Sequence, residues 1–183
     1  MSKFNNETLN PGEHFIYNGI EFICLDFING NILAITAQII GEMEFDKDNN
    51  GDWRKSSLRK YLNEEFIQKL DKKHLIPITL DLIADDGDTT YGTCEDYVGI
   101  VSCDQYRKYR KYIPLFEEWM WTCTPWDSTP NSGTANIVRL VSSGGRLYGS
   151  IAGSSGGVAP LVMFASEHLT SHRQVQLVGI DEE

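Results

Sequence analysis

Between residues 14 and 40, apolar side chains first alternate with polar ones and then run together, as Phe15-Ile16-Tyr17, Ile20 to Ile28 and Ile32 to Ile40. Asn29-Gly30 separates the last two runs. That pair tolerates the positive φ of a two-residue type I′ turn, so the segment is predicted to be a β-hairpin. Asp46 to Asp52 is polar and reads as a loop. Beyond it, Leu58, Tyr61, Leu62, Phe66 and Leu70 recur near the 3.6 period with charges between them. This predicts an amphipathic helix opened by Ser56 or Ser57. Ile76, Ile78, Leu80 and Leu82 alternate as in a strand. Residues 85 to 96 are acidic and glycine-punctuated and read as a loop, and Tyr97 to Val101 as a short strand. Ser102 with Gln105 forms a capping box, predicting a second helix to about Ile113, where Pro114 stops it.

The last third changes character. From Trp119 to Phe164, short apolar stretches alternate with turn clusters at Pro125 to Gly133, Ser142-Ser143-Gly144-Gly145 and Gly153 to Gly157. Hairpin strands come first, then helix, strand, helix and several strands, an order that predicts an α+β fold rather than an alternating α/β winding. The expected organisation is one domain over residues 1–183. Its core spans 12–164, and 165–183 form an extension with a short helix or strand and an acidic end.

Composition narrows the function. The formal net charge of −10 repels nucleic acid and anionic membranes and suits a basic partner, of which nucleic-acid-handling proteins are the commonest. No apolar run approaches the roughly 18 residues of a membrane-spanning helix. Met1 to Glu7 is polar, unlike a signal peptide, so a cytoplasmic setting is expected. Cys24, Cys94, Cys103 and Cys123 show no C-x-x-C spacing and read as small apolar thiols.

Three segments together resemble a bacterial and phage family of unknown function. Its helix carries Leu-Arg-x-Trp-Leu-Asn followed by Phe, read here as Leu58-Arg59-Lys60-Tyr61-Leu62-Asn63 with Phe66. Its Trp-Leu-Arg-Ser-Pro and Gly-Val-Arg-Pro-Ala-Leu strands correspond to Trp121-Thr122-Cys123-Thr124-Pro125 and Gly157-Val158-Ala159-Pro160-Leu161-Val162. That family is similar to the C-type-lectin-like fold of formylglycine-generating enzymes and phage tropism proteins. The resemblance therefore implies a lectin-like fold with an N-terminal hairpin, two main helices and a glycine-rich β half. Cys123 and Ala159 stand where the family has arginines, and the close cysteine pair that holds copper in the enzymes has no counterpart. The resemblance therefore implies no catalytic residue and no cofactor.

Several patterns invite chemistry. Asp46-Lys47-Asp48-Asn49-Asn50-Gly51-Asp52 matches the first half of a calcium loop, but the closing Glu at its twelfth position is Ser57, which favours a plain turn. His168 and His172, with Glu167, have the spacing of a metal pair without the context of a zinc protease. The glycines at 143 to 157 lack the Gly-Lys-Ser/Thr end of a phosphate loop. Tyr106 to Tyr112 concentrates Arg107, Lys108, Arg110 and Lys111 among tyrosines. It reads either as a nucleic-acid contact or as a surface helix with inward tyrosines. Asp85, Asp86, Asp88, Glu95 and Asp96 form an opposite acidic pole, either solvated or imitating phosphates toward a basic groove. Trp126, Arg146 and Tyr148 lie where lectin-like folds present binding loops.

The expected function is non-catalytic recognition of another macromolecule. The partner expected is a basic protein, such as a host defence nuclease blocked in the manner of anti-CRISPR proteins. A carbohydrate- or receptor-binding surface module and an RNA-acting protein using the basic helix remain as alternatives.

Overall fold

The computed structural model describes residues 9–129, 133–165 and 175–177, the last three as strand backbone. In chain order the elements are β1 (His14–Tyr17), β2 (Ile20–Ile28), β3 (Asn31–Thr36), β4 (Glu42–Glu44), α1 (Ser57–Glu64), β5 (Leu75–Ile76), β6 (Ile78–Asp81), β7 (Thr93–Asp96), β8 (Val98–Gly99) and α2 (Cys103–Tyr109). There follow β9 (Met120–Pro125), β10 (Ile137–Val141), β11 (Leu147–Ile151), β12 (Ser155–Gly157), β13 (Leu161–Phe164) and β14 (Val175–Leu177). The fold is mixed α+β and mostly β.

The larger sheet runs β14-β1-β2-β3-β13-β5, with β8 also pairing β13. Its first two turns use the same chemistry. Asn29 and Gly30 join β2 to β3 at φ 51° and 81°, and Asn18 and Gly19 join β1 to β2 at φ 49° and 78°. The first of these is the predicted hairpin. Register slips between Cys24 and Asp26, an added residue that breaks the alternation. Four consecutive residues, Phe22 to Leu25, are buried, and Ile32 to Thr36 opposite them are buried too, so both faces of the sheet are covered here. Phe15, Phe22, Tyr17 and Phe164 pack ring against ring at centroid distances of 4.9–5.8 Å, forming the centre of this half of the core. Within the segment 165–183, the β14 backbone pairs with β1 and adds a strand to the edge of this sheet.

The second sheet runs β11-β10-β9-β12-β4, and β6 and β7 form a separate ribbon. Phe45, just after β4, packs the second sheet against the turn before α1, its ring 5.7 Å from Trp53 and 5.6 Å from Trp121.

Three expectations are corrected. The segment 85–96 is not all loop, since Thr93–Asp96 pairs with Ile78–Asp81. The first helix ends at Glu64, and a tighter 3-10 turn over Phe66–Lys69 carries the remaining apolar residues inward. The second helix ends at Tyr109, where the N–H groups of Tyr112 and Ile113 both return to the Tyr109 carbonyl.

Candidate functional site

Helix α1 borders an open concave surface. Ser56 opens it, accepting the Arg59 N–H on its hydroxyl while donating to the Trp53 carbonyl. Leu58 and Leu62 enter the core. Arg59 grips the buried carboxylate of Asp96 through Nε and Nη2 at 2.8–3.0 Å, and the Trp53 indole donates to the same carboxylate at 2.8 Å. Asn63 substitutes for a strand neighbour, its amide donating to the Val98 carbonyl and its oxygen accepting the Val98 N–H. The motif residues Leu58, Arg59, Leu62 and Asn63 are thus structural. Tyr61 is different: half-buried, it faces an open slot.

The slot has a volume of about 570 Å³ and runs between β4 and the flank of α1. Glu42, Met43 and Glu44 form one wall, and Ser57, Tyr61 and Glu65 the other, with Lys47 and Lys60 beside them. Among the described residues strand β4 ends its sheet, with one side of it unpaired. The orientation of its backbone follows from its neighbour. Gly157 gives its N–H to the Trp119 carbonyl, away from β4. Successive residues of a strand point their N–H and C=O groups to opposite sides. Gly156 therefore faces Met43, its register partner, while Glu42 and Glu44 turn their backbone groups outward. The Met43 carbonyl also accepts the Trp121 indole at 3.0 Å, which fixes the strand from behind.

The residues singled out from the sequence are scattered. Asp96 is buried beneath Arg59, which removes it from any partner surface. Glu95, next to it on β7, is exposed. Asp85 lies 3.7 Å from Arg107 and 3.6 Å from Arg139, so its charge is met by two guanidiniums. Asp88 accepts the Ser128 hydroxyl and the Thr90 N–H, which hold its carboxyl below the ordinary value. Asp86 is exposed and accepts the Asp88 N–H. The acidic pole is thus largely committed to its own chain.

The basic helix is also partly neutralised. Arg107 pairs with Asp104 at 2.6 Å and Lys108 with Asp26 at 2.8 Å. Arg110 and Lys111 lie over the Tyr106 and Tyr112 rings. Tyr106 and Tyr109 are buried, their hydroxyls donating to Gly145 and Asp26, so their rings are closed to stacking bases. Trp126 is 43% exposed, its ring beside Gly149 and Ile137 and under the Arg139 guanidinium. Tyr148 and Arg146 are exposed on the β10–β11 hairpin. Tyr148 pairs with Leu140, and Gly149, beside Trp126, pairs with Arg139, so Tyr148 and Trp126 occupy opposite faces of the sheet.

In the calcium-like loop, the two oxygens of Asp46 accept the N–H groups of Ser57 and Asn50, and Asp52 is held by Arg54. Among the described residues no group of three His, Cys, Asp or Glu side chains converges as a metal site would. His168 and His172 lie outside the described residues. Burial raises the thiols, Cys24 to about 12 and Cys123 further.

The sequence reading missed Glu42, Glu44 and Tyr61. A Glu-x-Glu triplet after an apolar run is a signal for an edge strand, and it was available. The family described as "Domain of unknown function (DUF6273)" matches residues 29–93, a stretch that includes both walls of the slot. No curated protein matches the chain. No solved structure matches it either.

Proposed function

We propose that the protein is a recognition module that docks an extended segment of a partner protein in the slot between β4 and α1. The observation that carries this reading is the pair of outward-facing backbone positions, Glu42 and Glu44, on an unpaired strand with a side-chain-lined trough beside it. An edge strand offers main-chain hydrogen bonds to an added strand, and adjoining pockets choose its side chains. Glu42, Glu44 and Glu65 against Lys47 and Lys60, on a chain of net charge −10, favour a segment with basic residues. Nucleic-acid-handling proteins, defence nucleases among them, carry such segments, so inhibition of one remains the biological role we favour. The lectin-like relationship, the phage or mobile-element setting and a cytoplasmic location belong to the same proposal. They are supported by the motif resemblance and by four free thiols, three of them buried.

The test is selection from a displayed library of random peptides, followed by mapping of the winners. Selected peptides should be basic and shift amide resonances at 42–44 and 57–65. Glu44→Pro removes one outward N–H at an edge position that tolerates proline, and it should abolish binding without unfolding the protein. Winners that map elsewhere, or that bind Glu44→Pro unchanged, would sink the proposal.

A further inference from the structure

The other flank of α1 has the opposite electrostatic character. Arg54-Lys55-Ser56-Ser57-Leu58-Arg59-Lys60 places two cation pairs five residues apart. The 3-10 turn Trp53–Lys55 and the first turns of α1 fold them around one hollow of about 400 Å³. Buried Trp53 anchors the turn, so Arg54 and Lys55 stand outward, and Arg59 and Lys60 approach from the helix.

Both arginines are held from behind. Asp52, 2% exposed, binds Nε and Nη2 of Arg54 at 2.8 and 2.7 Å. Asp96, 3% exposed, holds Arg59. The paired carboxylates lie beneath the surface, and Glu64 is the one acid in the lining, so the outer face of the hollow is positive. Lys55 comes no closer than 3.9 Å to Asp52, and no ion pair of Lys60 is present among the described residues. The Ser56 hydroxyl is already occupied by the helix cap, which leaves the cations as the donors.

We propose that this hollow binds the phosphate group of a small phosphomonoester. Guanidiniums fixed in advance lose little freedom on binding, and charge-assisted bonds to phosphate are among the stronger hydrogen bonds. A compact dianion profits from two lysines beside two ion-paired guanidiniums more than a carboxylate does. A nucleic acid would also feel the −10 charge of the whole chain, which repels a polyanion beyond the hollow. The site lies across α1 from the slot and shares only Lys60 with it, so it stands whether or not the slot docks a peptide.

The experiment is a titration of the full chain with inorganic phosphate and with glycerol phosphate, read by amide NMR at constant ionic strength against chloride. Saturable shifts at residues 54–60 are expected with both phosphates, and none with chloride. Lys55→Ala and Lys60→Ala, both exposed, should together weaken binding about tenfold while the remaining spectrum stays unchanged. Shifts that do not saturate, that chloride reproduces, or that survive the double substitution would overturn the assignment. Tighter binding of a single-stranded oligonucleotide than of glycerol phosphate at these residues would overturn the choice of a small ligand. Glu44→Pro is expected to leave the titration unaltered.

Discussion

Arg59 on α1 closes over Asp96 on β7, 37 positions away, with three nitrogen–oxygen contacts of 2.8–3.0 Å. The Trp53 indole donates to the same buried carboxylate. Removing one partner of such a pair leaves a charge stranded away from water. Arg59→Met is expected to lower stability by about 3 kcal/mol in urea unfolding. Arg59→Met with Asp96→Leu should recover much of that loss, because no buried charge remains. A double variant no more stable than the single one would show that packing, rather than charge, dominates the contact.

A second pair ties the bulged strand β2 to α2. Asp26 accepts from Lys108 Nζ at 2.8 Å and from the Tyr109 hydroxyl at 2.7 Å. The Lys108 bond first, then the tyrosine, lowers the Asp26 carboxyl below the usual 3.8. Lys108 is correspondingly raised above its usual 10.5. For a depressed carboxyl the stabilisation is present above the unfolded value and disappears as pH falls through the native one. Wild type should therefore lose more of its urea midpoint than Lys108→Met between about pH 6 and about pH 2.5. Parallel acid limbs would dismiss the contribution.

Much of the fold was readable because its signals are local. Asn29-Gly30 has the turn chemistry of a two-residue hairpin, and Ser102 with Gln105 forms both bonds of the predicted capping box. Strand β7 was hidden because Thr93-Cys94-Glu95-Asp96 has little apolar alternation and finds its partner only through pairing with β6. The candidate site was less readable still. That Glu42 and Glu44 look outward depends on strand order, with β12 on one side of β4 and, among the described residues, no strand on the other. Charge patterns misled in the same way. Asp96 sits in an acidic run yet is buried, because its counter-charge comes from a distant helix.

Gly156 lies in β12, the strand that supports the slot wall. A methyl group there would overlap the Trp119 ring, which itself stacks edge-on against Trp121 at 4.7 Å. Gly156→Ala must push the indole out of this packing and is expected to cost about 1–3 kcal/mol, with an altered tryptophan emission spectrum. Gly144→Ala is the control, since the nearest atom to a new methyl is the Ser142 hydroxyl at 3.9 Å. It should fall within about 0.5 kcal/mol of wild type. Equal effects from the two substitutions would mean that Trp119 yields freely.

The four thiols should report on the integrity of the core. Cys24, Cys103 and Cys123 are buried, and burial is the largest cause raising each of them above its ordinary value. Cys94 is half-buried on β7, raised first by burial and next by the Asp96 charge, with its thiol 3.5 Å from that carboxylate. The thiolate is the reacting form, so a raised pKa and poor access act in the same direction. With a disulfide reagent at about pH 8, the native protein should label slowly at one position, lost in Cys94→Ala, while urea exposes the other three. Arg59→Met is expected to slow Cys94 further, because the guanidinium beside it lowers the cost of the thiolate. Rapid labelling of two or more thiols in native protein would show that the core opens around β2 or β9 without global unfolding.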